Sequence, residues 1–162
     1  MKRNKVVVAC DSFKGACTSF EAGNAVLRGI LKRLPDDDVA VLSAGDGGEG
    51  TAFALGTAFG FKKQHFCVSD THGEPVLAEF YSSNDNATAI FDMASCSGIA
   101  LAKSHGLDIL RASTAGVGQM IRHLAELGAH EVIVCLGGSG TSDGGVGALS
   151  ELGCAFSTVA ES

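Results

Sequence analysis

The 162-residue chain is 46% hydrophobic and 19% charged, a balance that fills a core and excludes a disordered polymer. Its formal net charge of -6, with no basic stripe, excludes the electrostatic footprint of a nucleic-acid binder. The apolar run after the basic start Met1 to Lys5 stops at Asp11, too short for a signal-peptide core or a membrane span, so a cytoplasmic protein without membrane contact is expected.

In chain order, Lys5 to Cys10 is predicted as a buried strand from the β-branched run Val6-Val7-Val8. Thr18 and Glu21 have capping-box spacing and open a helix. Val26, Leu27, Ile30, Leu31 and Leu34 continue it to Pro35. A short strand follows at Val39 to Leu42, then a glycine-rich loop at Gly45 to Gly50 and a helix at Thr51 to Phe59. Gln64 to Ser69, Val76 to Ser82 and Ala87 to Met93 are predicted strands of an antiparallel meander, with turns at Thr71 to Pro75 and Asn84 to Asn86. Val117, Met120, Ile121 and Leu124 mark a helix that Gly128 ends. Glu131 to Leu136 is a strand, and Gly137 to Gly145 is a loop leading into a helix that stops near Gly153. The order βαβα, then strands, then αβα predicts an α/β fold with a mostly parallel sheet and a β-rich segment attached. Right-handed crossovers then put three polar loops at the C-terminal ends of strands, along the edge where open α/β sheets bind ligands.

The first loop, Asp11-Ser12-Phe13-Lys14-Gly15, places a carboxylate, a hydroxyl and an ammonium directly after a strand. Lys14 suits a phosphate, and Asp11 a metal or a substrate hydroxyl; a plain Asp-Ser turn with a solvated lysine is the alternative. The second, Gly45 to Thr51, fits G-x-G-x-x-G, but Asp46 and Glu49 fill its variable positions and would repel a pyrophosphate. Those carboxylates suit Mg²⁺ or polyol hydroxyls, and a nicotinamide cofactor is rejected. The third, Gly137 to Gly145, lets successive amides converge as an anion-binding nest, with Ser139, Thr141 and Ser142 as further donors and Asp143 as a base or metal ligand. No Walker pattern accompanies it. Between the loops, Arg111 can clamp a carboxylate, while Ser113 or Thr114 caps the next helix. His65, His72, His105, His123 and His130 show no metal-ligand spacing and read as surface or half-buried residues. The six cysteines include no C-x-x-C pair, several sit in apolar runs, and they read as buried free thiols of a reducing compartment.

DSFKG at 11–15, DGGEGT at 46–51, D-x-L-R-A from Asp108 to Ala112 and GGS-x-T-x-DGG from Gly137 to Gly145, in that order, resemble the glycerate kinase family that carries an N-terminal Asp-Ser-Phe-Lys-Gly signature. The resemblance runs over nearly the whole chain. It implies phosphorylation of D-glycerate to phosphoglycerate by ATP with Mg²⁺, in a cleft between a Rossmann-like α/β domain and a second domain inserted into it. Chains of that family continue well beyond the last motif, so the resemblance is to their N-terminal part. Residues 1–68 would then be part of the Rossmann-like domain and 69–162 part of the inserted one, both incomplete. On this resemblance Lys14, Asp46 and Asp143 are the catalytic candidates, with either Asp as base. Asp11, Ser12, Glu49, Arg111, Gly137, Gly138, Ser139, Thr141 and Gly144 bind substrate or phosphate, and Asp46 with Glu49 hold the metal. An incomplete sheet edge is expected to favour self-association. The competing expectation is a non-catalytic fragment, or a general anion-binding α/β module, that keeps the motifs without a complete cleft.

Overall fold

The computed structural model describes residues 3–13, 15–106 and 108–157. Strand β1 (Lys5–Cys10) feeds helix α1 (Ser19–Arg33), which returns to strand β2 (Asp38–Ser43). The two strands are parallel neighbours in register from Lys5↔Asp38 to Cys10↔Ser43, as the βαβ pattern requires. Both halves of the capping box are made. Thr18 Oγ1 accepts the Glu21 amide at 3.2 Å, and the Thr18 amide donates to Glu21 Oε2 at 2.8 Å. Lys32 and Arg33 complement the dipole in the last turn, ahead of Pro35. Helix α1 covers one face of this ribbon with Ala22 and Gly23. The other face is open, with Val7 65% and Leu42 53% exposed.

Helix α2 (Thr51–Ala58) then leads into a second sheet. It contains β3 (Lys62–Ser69), β4 (Pro75–Ser82), β5 (Thr88–Asp92) and β6 (Glu131–Cys135) in that spatial order. The first three form the expected antiparallel meander, and β6 joins β5 in parallel. Strand β3, whose residues 62–68 fall in the first of the two expected domains, is hydrogen-bonded along its length to β4. Two short helices that the sequence pattern did not announce, α3 (Ala94–Ser97) and α4 (Ile99–Ser104), follow β5. Helices α5 (Ala115–Glu126) and α6 (Val146–Glu151) complete the described elements.

The period-2 alternation of β5 sends Ala89 and Phe91 to one face and Ile90 to the other. On the first face they meet Phe80 and Val68, together with Met120 and Leu124 of α5. On the second, Ile90, Tyr81 and Cys135 pack under Ala52 of α2. The sheet is thus covered on both sides. Gly56 is what brings α2 so close, since a Cβ there would lie 2.5 Å from the Tyr81 ring. The six cysteines are free thiols, but the expectation that they are buried holds only for Cys96 and Cys135; Cys10 and Cys17 are half-buried, and Cys67 and Cys154 are exposed. Among the described residues no helix is long and apolar enough to cross a membrane.

Candidate active site at the strand ends

Register aligns the loops. Cys10 and Ser43 are partners at the ends of β1 and β2, so the loops beginning at Asp11 and Ala44 leave the same edge side by side. Asp92 and Cys135 are likewise partners at the ends of β5 and β6. Ser19 ties the first pair together: its Oγ donates to the Cys10 carbonyl at 2.7 Å and accepts the Ala44 amide at 3.1 Å.

In the first loop Asp11 is exposed and accepts the Ser12 amide at 2.7 Å. Phe13 and Cys17 close it by mutual backbone hydrogen bonds of 2.9 and 3.1 Å. Lys14 lies outside the described residues. In the second loop Asp46 Oδ1 accepts the Gly48 amide at 2.9 Å, and Thr51 Oγ1 accepts that of Gly47 at 3.0 Å. Among the described residues Asp46 Oδ2 and the Glu49 carboxylate accept no hydrogen bond, and both residues are exposed. The N-terminus of α2 is filled by a residue that the sequence reading overlooked. Asp92, buried at the end of β5, accepts the Gly50 amide at 2.7 Å and the Ala52 amide at 2.9 Å. Burial raises its pKa despite these bonds. A carboxylate closing the apolar run Ala89 to Phe91 was the signal available for it.

The second and third loops touch directly. The Gly137 amide donates to the Gly47 carbonyl at 2.7 Å. A Cβ on Gly137 would lie 2.5 Å from Gly48 Cα, so only glycine permits this approach. The Gly138 carbonyl accepts the Ile99 amide at 2.9 Å, and Gly140 donates to the Ser97 carbonyl at 2.8 Å, which seats the loop on α3 and α4. Ser139 and Thr141 pair through their hydroxyls at 3.0 Å. The amides of Ser142, Asp143 and Gly144 donate to no acceptor among the described residues. They are three consecutive free donors.

Asp143 turns its carboxylate inward. Oδ2 accepts from the Thr114 amide and hydroxyl, both at 2.8 Å, and from the Gly147 amide at 3.1 Å; Oδ1 accepts the Gly145 amide at 3.0 Å. Burial pushes this carboxyl up, but the bonds from Thr114, Gly145 and Gly147 outweigh it and hold the pKa below the usual range. Asp143 therefore fastens the third loop to the start of α5 and to the segment that carries Arg111, an exposed residue. Thr114 serves this junction through its hydroxyl and makes no side-chain cap on its own helix.

Among the described residues no group of three or more His, Cys, Asp or Glu side chains can hold a metal ion. Asp46 Oδ2 and the exposed Glu49 carboxylate are the oxygen donor type that a hard cation takes when one or two protein carboxylates share it with water and phosphate. A groove of about 350 Å³ lined by Phe59, Phe61, Thr88, Ile90, Glu131 and Ile133 contains none of the predicted residues. It lies at the N-terminal ends of β5 and β6, away from the loops.

Glycine loops at the C-terminal ends of parallel strands place the chain among the α/β proteins built on open sheets. The chain belongs to the glycerate kinase family, whose profile matches residues 6–161. It is 36% identical over 149 residues to the glycerate 2-kinase of Escherichia coli K12, an alignment spanning 92% of this chain and 39% of that one. It is 37% identical to the glycerate kinase of Bacillus subtilis 168 over the same shares. The crystal structure of a glycerate kinase 2 from Salmonella typhimurium LT2 superposes with a TM-score of 0.78 at 34% identity, covering 94% of this chain and 41% of its own. The chain thus spans about two-fifths of the length of these relatives.

Proposed function

We propose that this chain supplies the glycerate- and phosphate-binding loops of a kinase that transfers the γ-phosphoryl group of ATP to D-glycerate. The observation that carries the reading is the contact of the acidic loop with the third glycine loop at Gly47 and Gly137, which joins the loop bearing Asp46 and Glu49 to the loop bearing three amides that donate to no acceptor among the described residues. In such a transfer the protein mainly positions groups and stabilises charge. Lys14 and the amides of 142–144 bind phosphate, Arg111 takes the glycerate carboxylate, and Asp11, Ser12 and Ser139 contact its hydroxyls. A glycerate hydroxyl oxygen attacks the γ-phosphorus, the bond to the ADP oxygen breaks, and the hydroxyl proton passes to a carboxylate. Asp46, with Oδ2 free, suits that role better than Asp143, whose oxygens are committed. Magnesium, held by Glu49 with the nucleotide, would supply neutralisation of phosphate charge.

Titration of the isotope-labelled chain with a non-hydrolysable ATP analogue and D-glycerate tests this assignment. Amide shifts concentrated at 46–49, 111 and 142–144 support it; shifts confined to other residues, or none at millimolar ligand, count against it.

One observation favours a second reading, a non-catalytic fragment. The face of β1 and β2 that carries Val7 and Leu42 is open. Parallel strands are ordinarily covered on both faces, so pairing with a further chain segment or another copy belongs to this reading.

A further inference from the structure

The turn between β3 and β4 holds a cluster of titratable side chains outside the loops described so far. Asp70, 5% exposed, accepts the His72 amide at 2.8 Å and the Glu74 amide at 3.0 Å through Oδ1, while its Oδ2 lies 2.6 Å from His105 Nε2. The His72 ring stacks on His105 with centroids 4.5 Å apart. His72 Nδ1 lies 2.9 Å from Thr71 Oγ1, while its Nε2 is buried without a partner. An unpartnered buried ring nitrogen is costly, so the stack must be held by its surroundings. The neighbouring Thr71, fully buried, accepts the Ser113 amide on its carbonyl at 2.8 Å. Two adjacent residues of one turn therefore grip both ends of the stretch from His105 to Ser113. Between those grips, among the described residues, the Arg111 and Ala112 amides donate only to the Asp108 carbonyl, at 3.2 and 3.1 Å. Beyond them, Thr114 passes the connection to Asp143 and the third glycine loop.

We infer that Asp70 and His105 are positioning residues that set the stretch bearing Arg111, with His72 bracing the His105 ring from one side. The pair is charge-assisted when His105 is protonated, and the short Nε2–Oδ2 contact fixes the ring's direction. Burial raises the Asp70 carboxyl pKa, but the bonds from His72, His105 and Glu74 more than offset this and keep it ionised. The functional consequence, an Arg111 held ready for a carboxylate, rests on the kinase reading above; the mechanical claim does not.

Residue-resolved hydrogen exchange on the full chain tests it, comparing wild type with His105→Ala and His105→Gln. Loss of the His105 partner of Asp70 should speed exchange at Arg111, Ala112 and Ser113 by about tenfold or more, leaving β4 and β5 amides protected. Gln, which can still donate to Asp70, should restore most of the protection. Unchanged exchange at 111–113 in the alanine variant overturns the inference. So does acceleration spread evenly over β4 and β5, which would make His105 a general stabiliser. A parallel D-glycerate titration separates the two claims. If wild type shows no shift at Arg111 while the exchange pattern holds, the kinase reading loses support and the clamp stands.

Discussion

The two sheets of this molecule are built from similar sequence and end in opposite conditions. Strands β1 and β2 alternate exposed and half-buried residues, and among the described residues the only buried apolar side chain up to Ser43 is that of Ala22. In the four-stranded sheet Ile90 and Phe91 are completely buried, and both faces carry a helix. Yet the β1 and β2 run is as apolar as that of β5. The difference is one of cover, not of propensity. A two-stranded ribbon with one helix cannot close a core, whereas four strands between α2 and α5 can. The acidic loop is anchored to the closed sheet through Asp92 and Gly137, but the first loop hangs from the open ribbon.

The largest effect should come from the closed sheet. Phe91→Ala is expected to cost about 3–5 kcal/mol in chemical denaturation, since it opens a cavity between β5 and α5. A cost under 1 kcal/mol would mean that this core is as loose as the ribbon. Next, Asp143→Ala removes the acceptor of four donors and should cost about 2–4 kcal/mol. The pH dependence fixes the sign of the Asp143 contribution. Its folded pKa is depressed, so its stabilisation is present above the unfolded value of about 3.9 and is lost as pH falls through the folded value. Thermal melts of wild type should therefore weaken on acidification in that window, and Asp143→Asn should flatten the decline. Gly137→Ala forces apart backbone atoms of two loops and should cost about 1–3 kcal/mol, with amide shifts at 46–49 as its signature. The smallest change is expected on the open ribbon: Val7→Ser should alter stability by no more than about 0.5 kcal/mol while lowering any self-association seen in sedimentation. A large loss of stability there would show that the face is covered in solution.

Much of the fold was legible because its determinants are local. The run Val6 to Cys10 and the Thr18–Glu21 box placed β1 and α1, and βαβ order gave their parallel pairing. Helices α3 and α4 escaped because Ala94 to Ser104 has neither a capping box nor a sustained apolar period. The candidate site divided the same way. Its loops could be read from glycines and acids in sequence, but what those acids do depends on distant partners. Asp92 reaches amides 42 and 40 residues earlier, and Asp143 a threonine 29 residues before it. Asp70 and His105, 35 residues apart, look like an unremarkable turn residue and a surface histidine until the fold joins them. Short-range pattern locates a carboxylate, but only the packed structure shows whether an oxygen is left free, as Asp46 Oδ2 is, or both are committed, as at Asp143.

On the proposed function, these loops belong to a glycerate-phosphorylating site whose first loop hangs from the open ribbon. The direct measurement is ATP-dependent phosphorylation of D-glycerate by the purified 162-residue chain, alone and mixed with a polypeptide carrying the part of the Bacillus subtilis relative that this chain does not span. A displacement of about 1 Å in the reacting groups can cost on the order of 10²-fold in rate, so the chain alone should turn over little or nothing. Mixing should raise the rate, and Lys14→Ala should remove most of the gain. Robust magnesium-dependent turnover by the unmixed chain would contradict the account.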